Sequence, residues 1–171
     1  YDNASVGNYS GYDMTTGFSN TLVGYKAGTN LTDADSNVAI GKDALTTCIT
    51  GDDNVAIGER AGSGSTGAGN IFIGRLAGEN FTSGDSNVII GKNAGPTTTS
   101  TASNKLYIHN AESDTPLIGG DFSTPSLTFT ADDVSTTSAT TLKPILALTN
   151  TTDDAYGPSI ELYNNRATEA D

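Results

Sequence analysis

Six times in the first hundred residues an asparagine is followed by three small or apolar residues and then a glycine. The pairs are Asn3 with Gly7, Asn20 with Gly24, Asn37 with Gly41, Asn54 with Gly58, Asn70 with Gly74 and Asn87 with Gly91, and successive asparagines lie 17, 17, 17, 16 and 17 residues apart. A seventh, Asn104, falls 17 residues after Asn87. A fixed period with a fixed glycine predicts one supersecondary unit stacked on copies of itself, which is a solenoid. The three residues between Asn and Gly predict a short strand whose first and third side chains share one face while the second points the other way.

Both faces are apolar. The first and third positions hold Ala4 and Val6, Thr21 and Val23, Val38 and Ile40, Val55 and Ile57, Ile71 and Ile73, and Val88 and Ile90. The second holds Ser5, Leu22, Ala39, Ala56, Phe72 and Ile89. A coil of 17 residues encloses little volume, so the two-residue face is expected to fill the coil's own lumen. The second face, Leu22, Ala39, Ala56, Phe72 and Ile89, is then the candidate surface for self-association, because a lone thin coil buries too little area to offset its ordering entropy. The repeating Gly is expected where the chain turns out of the strand. A small residue three places later (Ser10, Ala27, Ala44, Ala61, Ala77, Ala94) predicts a crowded corner. Met14, Leu31, Cys48 and Phe81, eleven places after the Asn, predict a weaker second strand closing each coil. The asparagines themselves read as an internal side-chain ladder that caps the turns.

Composition narrows the class. With 35% hydrophobic residues, no Trp and 20 Gly in 171 residues, a thick globular core is not expected, and the regular apolar punctuation argues against disorder. A net charge of −12 without any basic run argues against nucleic-acid binding. Five of the eight basic residues, Lys26, Lys42, Arg60, Arg75 and Lys92, follow the repeat Gly by one or two places and predict a solvated, edge-protecting ridge. No apolar run is long enough to span a bilayer. The single cysteine, Cys48, forms no intrachain disulfide and reads as a small buried hydrophobe. The chain opens on Tyr1 instead of Met and is read as part of a longer protein.

The phrase Asn37-Val-Ala-Ile-Gly-Lys-Asp-Ala44 and its echo from Asn54 to Ala61 resemble the head repeat of trimeric autotransporter adhesins. The 17-residue spacing with Thr and Gly between copies is similar to repeats in bacteriophage tail fibres. The resemblance implies a left-handed parallel β-roll, with three rolls side by side in a homotrimer. Asn104-Lys-Leu-Tyr-Ile-His109 with Thr115-Pro-Leu-Ile-Gly-Gly-Asp-Phe122 resembles the connector that follows such repeats. Pro144-Ile-Leu-Ala-Leu-Thr149 followed by Gly157-Pro-Ser-Ile-Glu-Leu-Tyr-Asn164 looks like a β-module of phage fibres. The first copy departs from the pattern at Ser5 and Tyr9, and the Gly-rich stretch 62–69 is one residue short and is expected to loosen its coil.

The expected organisation is all-β: a β-roll over residues 1–103, a connector over 104–125 and a C-terminal β-module over 126–171. Short strands are expected at 106–108, 117–118, 127–129, 145–148 and 160–163. No catalytic residue, metal ligand or cofactor is assigned. The only histidine is His109, and although three copies of it could ring a trimer axis, an ordinary hydrogen-bonded histidine is the reading adopted. The acid pairs Asp52 with Asp53, Asp132 with Asp133 and Asp153 with Asp154 sit in polar turns, without EF-hand spacing and without anything to raise a carboxyl pKa. The expected function is therefore structural and adhesive: a homotrimeric phage tail fibre on the virion that binds a host cell-surface receptor, with glycans among the candidates. The alternatives are a bacterial cell-surface trimeric adhesin head and, behind it, a glycan-cleaving tailspike. Tyr9, Tyr12 and Tyr25 are candidates to stack on sugars.

Overall fold

The structure, a computed structural model, describes residues 2–130. Among these there is no helix, and the order is nine short strands: β1 (Ala4–Val6), β2 (Thr21–Val23), β3 (Val38–Ile40), β4 (Val55–Ile57), β5 (Ile71–Ile73), β6 (Val88–Ile90), β7 (Lys105–Ile108), β8 (Ile118–Asp121) and β9 (Ser126–Phe129). They form one sheet in sequence order. β1 to β7 pair in parallel, each strand with its equivalent one coil on, so Ala39 lies over Ala56 and Ala56 over Phe72. β8 and β9 then turn back antiparallel. This is an all-β parallel solenoid of about six coils, with β7 extending the ladder beyond residue 103. The chain divides into two units, Tyr1–Asp133 and Val134–Asp171. The strands expected at 145–148 and 160–163, and most of the expected module, lie outside the described residues.

The repeat glycines explain why coils stack so closely. Gly58 has φ +134°, a region unfavourable to L side chains, and a Cβ there would stand 2.6 Å from the carbonyl carbon and oxygen of Gly74 in the next coil. The same carbonyl contact recurs at the other repeat glycines, for example 2.4 Å at Gly41 and 2.5 Å at Gly74. The glycine thus serves backbone approach between coils as well as the turn.

The lumen is filled by the middle residue of each strand, contrary to the face assignment drawn from the sequence. Leu22, Ala39, Ala56, Phe72 and Ile89 are fully buried within the single chain, beside Ala27, Leu31, Ala44, Cys48, Ala61, Ala77 and Phe81. They are core, not an oligomer face. The flanking positions instead point outward: Val23, Ile40, Ile57 and Ile73 are exposed and Val38, Val55, Ile71 and Val88 half-buried. The physical reason is geometric. A three-residue strand offers the interior one inward side chain, while the corner residues seven and eleven places after each Asn supply the rest of the filling.

Those corners are not a second strand. Leu31, Cys48 and Phe81 are buried where expected, but along this wall the only β-bridge among the described residues joins Phe81 to Ser100. Single backbone bonds such as Thr15 N–H to Thr32 C=O at 3.0 Å and Thr32 N–H to Ile49 C=O at 3.1 Å hold it together. The residue missing from the Gly-rich coil falls on an outer corner, since Gly67 stacks between Gly51 and Gly84. The ladder therefore passes through it intact, with Asn70 N–H donating to Asn54 Oδ1 at 2.9 Å.

Candidate functional site

The asparagines form a continuous buried ladder. Each backbone N–H donates to the Oδ1 of the Asn one coil before: Asn20 to Asn3 at 2.8 Å, Asn37 to Asn20, Asn54 to Asn37 and Asn70 to Asn54 at 2.9 Å, and Asn87 to Asn70 at 3.0 Å. The Nδ2 groups donate to backbone carbonyls, as Asn20 does to Ala34 at 2.7 Å and Asn87 to Ala102 at 2.9 Å on the following coil and Asn37 does to Asp35 at 3.0 Å. With these side-chain groups spent internally, they are structural and offer nothing to a ligand. Asn104 does not join them. The sixth coil is one residue longer, and Lys105 N–H takes the place, donating to Asn87 Oδ1 at 2.9 Å. Asn104 sits one place earlier in the left-handed conformation (φ 61°) that Ser36, Asp53 and Ser86 adopt in their coils.

A second ladder runs outside it on carboxylates. Asp35 Oδ1 accepts from Phe18 N–H at 2.9 Å, Asp52 Oδ1 from Asp35 N–H at 2.8 Å and Asp85 Oδ1 from Ala68 N–H at 2.8 Å. Asp52 therefore braces adjacent coils. Asp132, Asp133, Asp153 and Asp154 lie outside the described residues. Among the described residues no group of three His, Cys, Asp or Glu side chains is placed to hold a metal. His109 immediately follows β7, and its Nδ1 accepts from Leu117 N–H at 3.4 Å.

The basic ridge is a mixed-charge strip. Lys42 pairs with Asp43 at 2.6 Å and approaches Glu59 at 3.9 Å, Arg75 pairs with Glu59 at 3.3 Å, and Arg60 pairs with Glu79. Such exposed pairs add little stability, but alternating sign removes the single-sign field that would attract an anionic surface. At its first coils the ridge carries Tyr9, Tyr12 and Tyr25, all exposed, with Tyr9 5.3 Å from Tyr12 and 6.3 Å from Tyr25, ring centre to ring centre, and the Lys26 ammonium 5.5 Å from the Tyr25 ring.

A continuous surface runs along the outer face of the sheet. Register carries it without a break beyond the coils: Leu106 lies beside Val88 and Ile108 beside Ile90, Ile118 opposes Ile108, and Gly120 and then Leu127 lie in line with Leu106. Phe129 in turn opposes Ile118. Exposure is greatest at its two end strands, 63% at Val6 on β1 and 59% and 65% at Leu127 and Phe129 on β9, and lower between them, as at Ile57 and Ile73 (38%). On the opposite face, Tyr107 closes the lumen with its ring 5.9 Å from Phe81. Burial raises the pKa of the Tyr107 hydroxyl, assisted by the nearby Asp114 carboxylate. Beyond it lies a cleft of about 340 Å³ bordered by Lys105, Leu106, Asp114, Pro116, Ser126 and Thr128.

Compared with known proteins, the chain matches no family model, no curated protein and no solved structure. The outer face is the residue set that the sequence misassigned. A usable signal existed: the middle positions vary from Ala to Phe with compensating neighbours, as a lumen requires, whereas the flanking positions after the first coils are uniformly Val or Ile.

Proposed function

We propose that this chain is part of a homotrimeric fibre, a bacteriophage tail fibre that holds a stiff shaft away from the particle and contributes to attachment at a host cell-surface receptor. The observation that carries the reading is the pairing of a self-sufficient, ladder-braced lumen with an uncovered aliphatic face along the whole sheet. Contiguous apolar surface of that extent marks an interaction surface. Another copy suits it best, because only a partner with the same strand spacing, about 4.8 Å, meets every rung alike. The phrase Asn37-Val-Ala-Ile-Gly-Lys-Asp-Ala44 favours a second reading, a bacterial trimeric adhesin head, in which the same assembly would bind matrix or cells.

Sedimentation of the full chain should give three times its 17.5 kDa mass, and the trimer should then be tested for saturable binding to intact bacterial cells. A monomer that nevertheless shows the β-sheet spectrum would overturn the assembly. A trimer that binds eukaryotic matrix proteins and no bacterial cell would favour the adhesin reading. Shortening of host polysaccharide chains during incubation would establish a tailspike activity and end the purely adhesive account.

A further inference from the structure

The coils present a problem of register that the rest of the molecule is built to resolve. On the outer face β3 and β4 carry the same pair, Val38 with Ile40 and Val55 with Ile57, and β5 and β6 carry Ile71 with Ile73 and Val88 with Ile90. Sliding one copy along another by one coil replaces Val and Ile with Val and Ile, so the coil contacts barely distinguish the correct alignment from a shifted one. Repetitive, flat faces specify register weakly.

The sheet's last three strands lack this ambiguity. Leu106, Gly120 and Leu127 lie in one line across β7, β8 and β9, and the row dips at Gly120, where a Cβ would stand 2.6 Å from Ser126 C=O and 3.5 Å from the Leu106 Cβ, so the Leu106 side chain leans over the dip. In the neighbouring line Phe129, the bulkiest side chain on the face, follows Ile108 and Ile118. A groove of about 460 Å³ lined by Leu106, Phe122, Pro125 and Leu127 adjoins this dip. The Phe129 knob and this groove occur once each, at one end, and match nothing one coil away.

We propose that the outer face of β7–β9 is a docking surface for the same strands of a second copy and sets the axial register of the assembled chains. The inference rests on the self-association proposed above, and three observations commit it to a copy of this chain. The face continues without interruption from the coil face. Its rungs share the pitch of the coils. Nine strands at about 4.8 Å give a strip roughly 40 Å long, which together with the charged ridges beside it approaches the about 800 Å² per partner of a stable interface.

The test uses the full chain with Cys48→Ala, carrying either Ile57→Cys or Ile73→Cys on the outer face. The two are mixed during assembly, oxidised mildly and mapped by peptide mass. Level-matched pairs, 57 with 57 and 73 with 73, should dominate when β9 is intact. Leu127→Ser with Phe129→Ser should leave the β-sheet spectrum and the assembled mass in place, because both side chains are exposed, while the shifted 57-with-73 disulfide rises about tenfold. An unchanged shifted fraction would overturn the proposal and would mean that β9 is covered by its own chain or by a different partner. Loss of assembly in the β9 variant would overturn the register role as well, leaving those residues as bulk interface. A monomeric parent with no disulfide at all would instead sink the underlying self-association, a separate failure with a separate signature.

Discussion

Asn54 holds three consecutive coils through one carboxamide. Its Nδ2 donates to Asn37 Oδ1 at 3.1 Å and to Gly67 C=O at 2.9 Å, and its Oδ1 accepts from Asn70 N–H at 2.9 Å, all out of reach of water. Asn54→Ala strands Gly67 C=O and Asn70 N–H, and at about 1–3 kcal/mol for each buried group left unsatisfied, the expected loss is about 2–6 kcal/mol in urea unfolding. Cys48 shows the opposite character. Desolvation pushes its thiol from the ordinary 9.0 up to about 11, and the S–H donates to Gly51 C=O at 3.4 Å. A thiol whose folded pKa is raised is held neutral by the fold, so the folded state keeps its proton after the unfolded state has lost it. Stability should therefore be unaffected below pH 9.0 and fall between 9.0 and about 11. Cys48→Ala should remove that part of the alkaline loss, read as the difference between the two proteins' urea midpoints across the range.

At the scale of one coil, filling is shared between the middle of the strand and the corner eight places after the Asn. Gly28 stands at that corner beneath Leu22, and Gly62 and Gly78 take it on either side of Phe72, where an added Cβ would come within 2.5 Å and 2.1 Å of the ring. The third coil reverses the arrangement: the middle residue is Ala39, and Leu45 occupies the corner at φ 49°, fully buried. Leu45→Gly would relieve a left-handed strain of about 1–2 kcal/mol but forfeit a buried leucine worth about 2–5 kcal/mol, so the variant should be less stable, not more. An increase in melting temperature would refute the filling role. This compensation is also what decides how much was legible. The 16- or 17-residue period fixes the strand positions, all six found where the Asn–Gly phrase puts them. Alternation separates the two side-chain sets but carries no sign, and with Val and Ile on one and Leu and Phe on the other, hydrophobicity alone does not say which is inside. The extra residue before Lys105 was hidden for a different reason. The Thr/Ser tract from 97 to 103 has no apolar marker to count from, so Asn104 looked like the next ladder member.

For the whole molecule, the interior and the assembly surface sit on adjacent residues, which allows them to be separated by experiment. Ala56 is fully buried and Ile57, its neighbour on the same strand, is 38% exposed on the outer face. Ala56→Asp drives a carboxylate into a lumen against Phe72 and Ala39, where no cation is present and desolvation costs several kcal/mol. That variant should lose the β-sheet circular dichroism signal at neutral pH. Ile57→Asp leaves the lumen and both ladders untouched, yet in a trimer it brings three like charges to one level of an apolar face. It should keep the sheet spectrum and sediment as a monomer at concentrations where the unsubstituted chain is assembled. The two outcomes must differ for the outward assignment of Ile57 to stand as an assembly role. An Ile57→Asp chain that remains fully assembled would show that the outer face is not where copies meet, and the charged ridges through Lys42, Glu59 and Arg75 would then be the surface to examine.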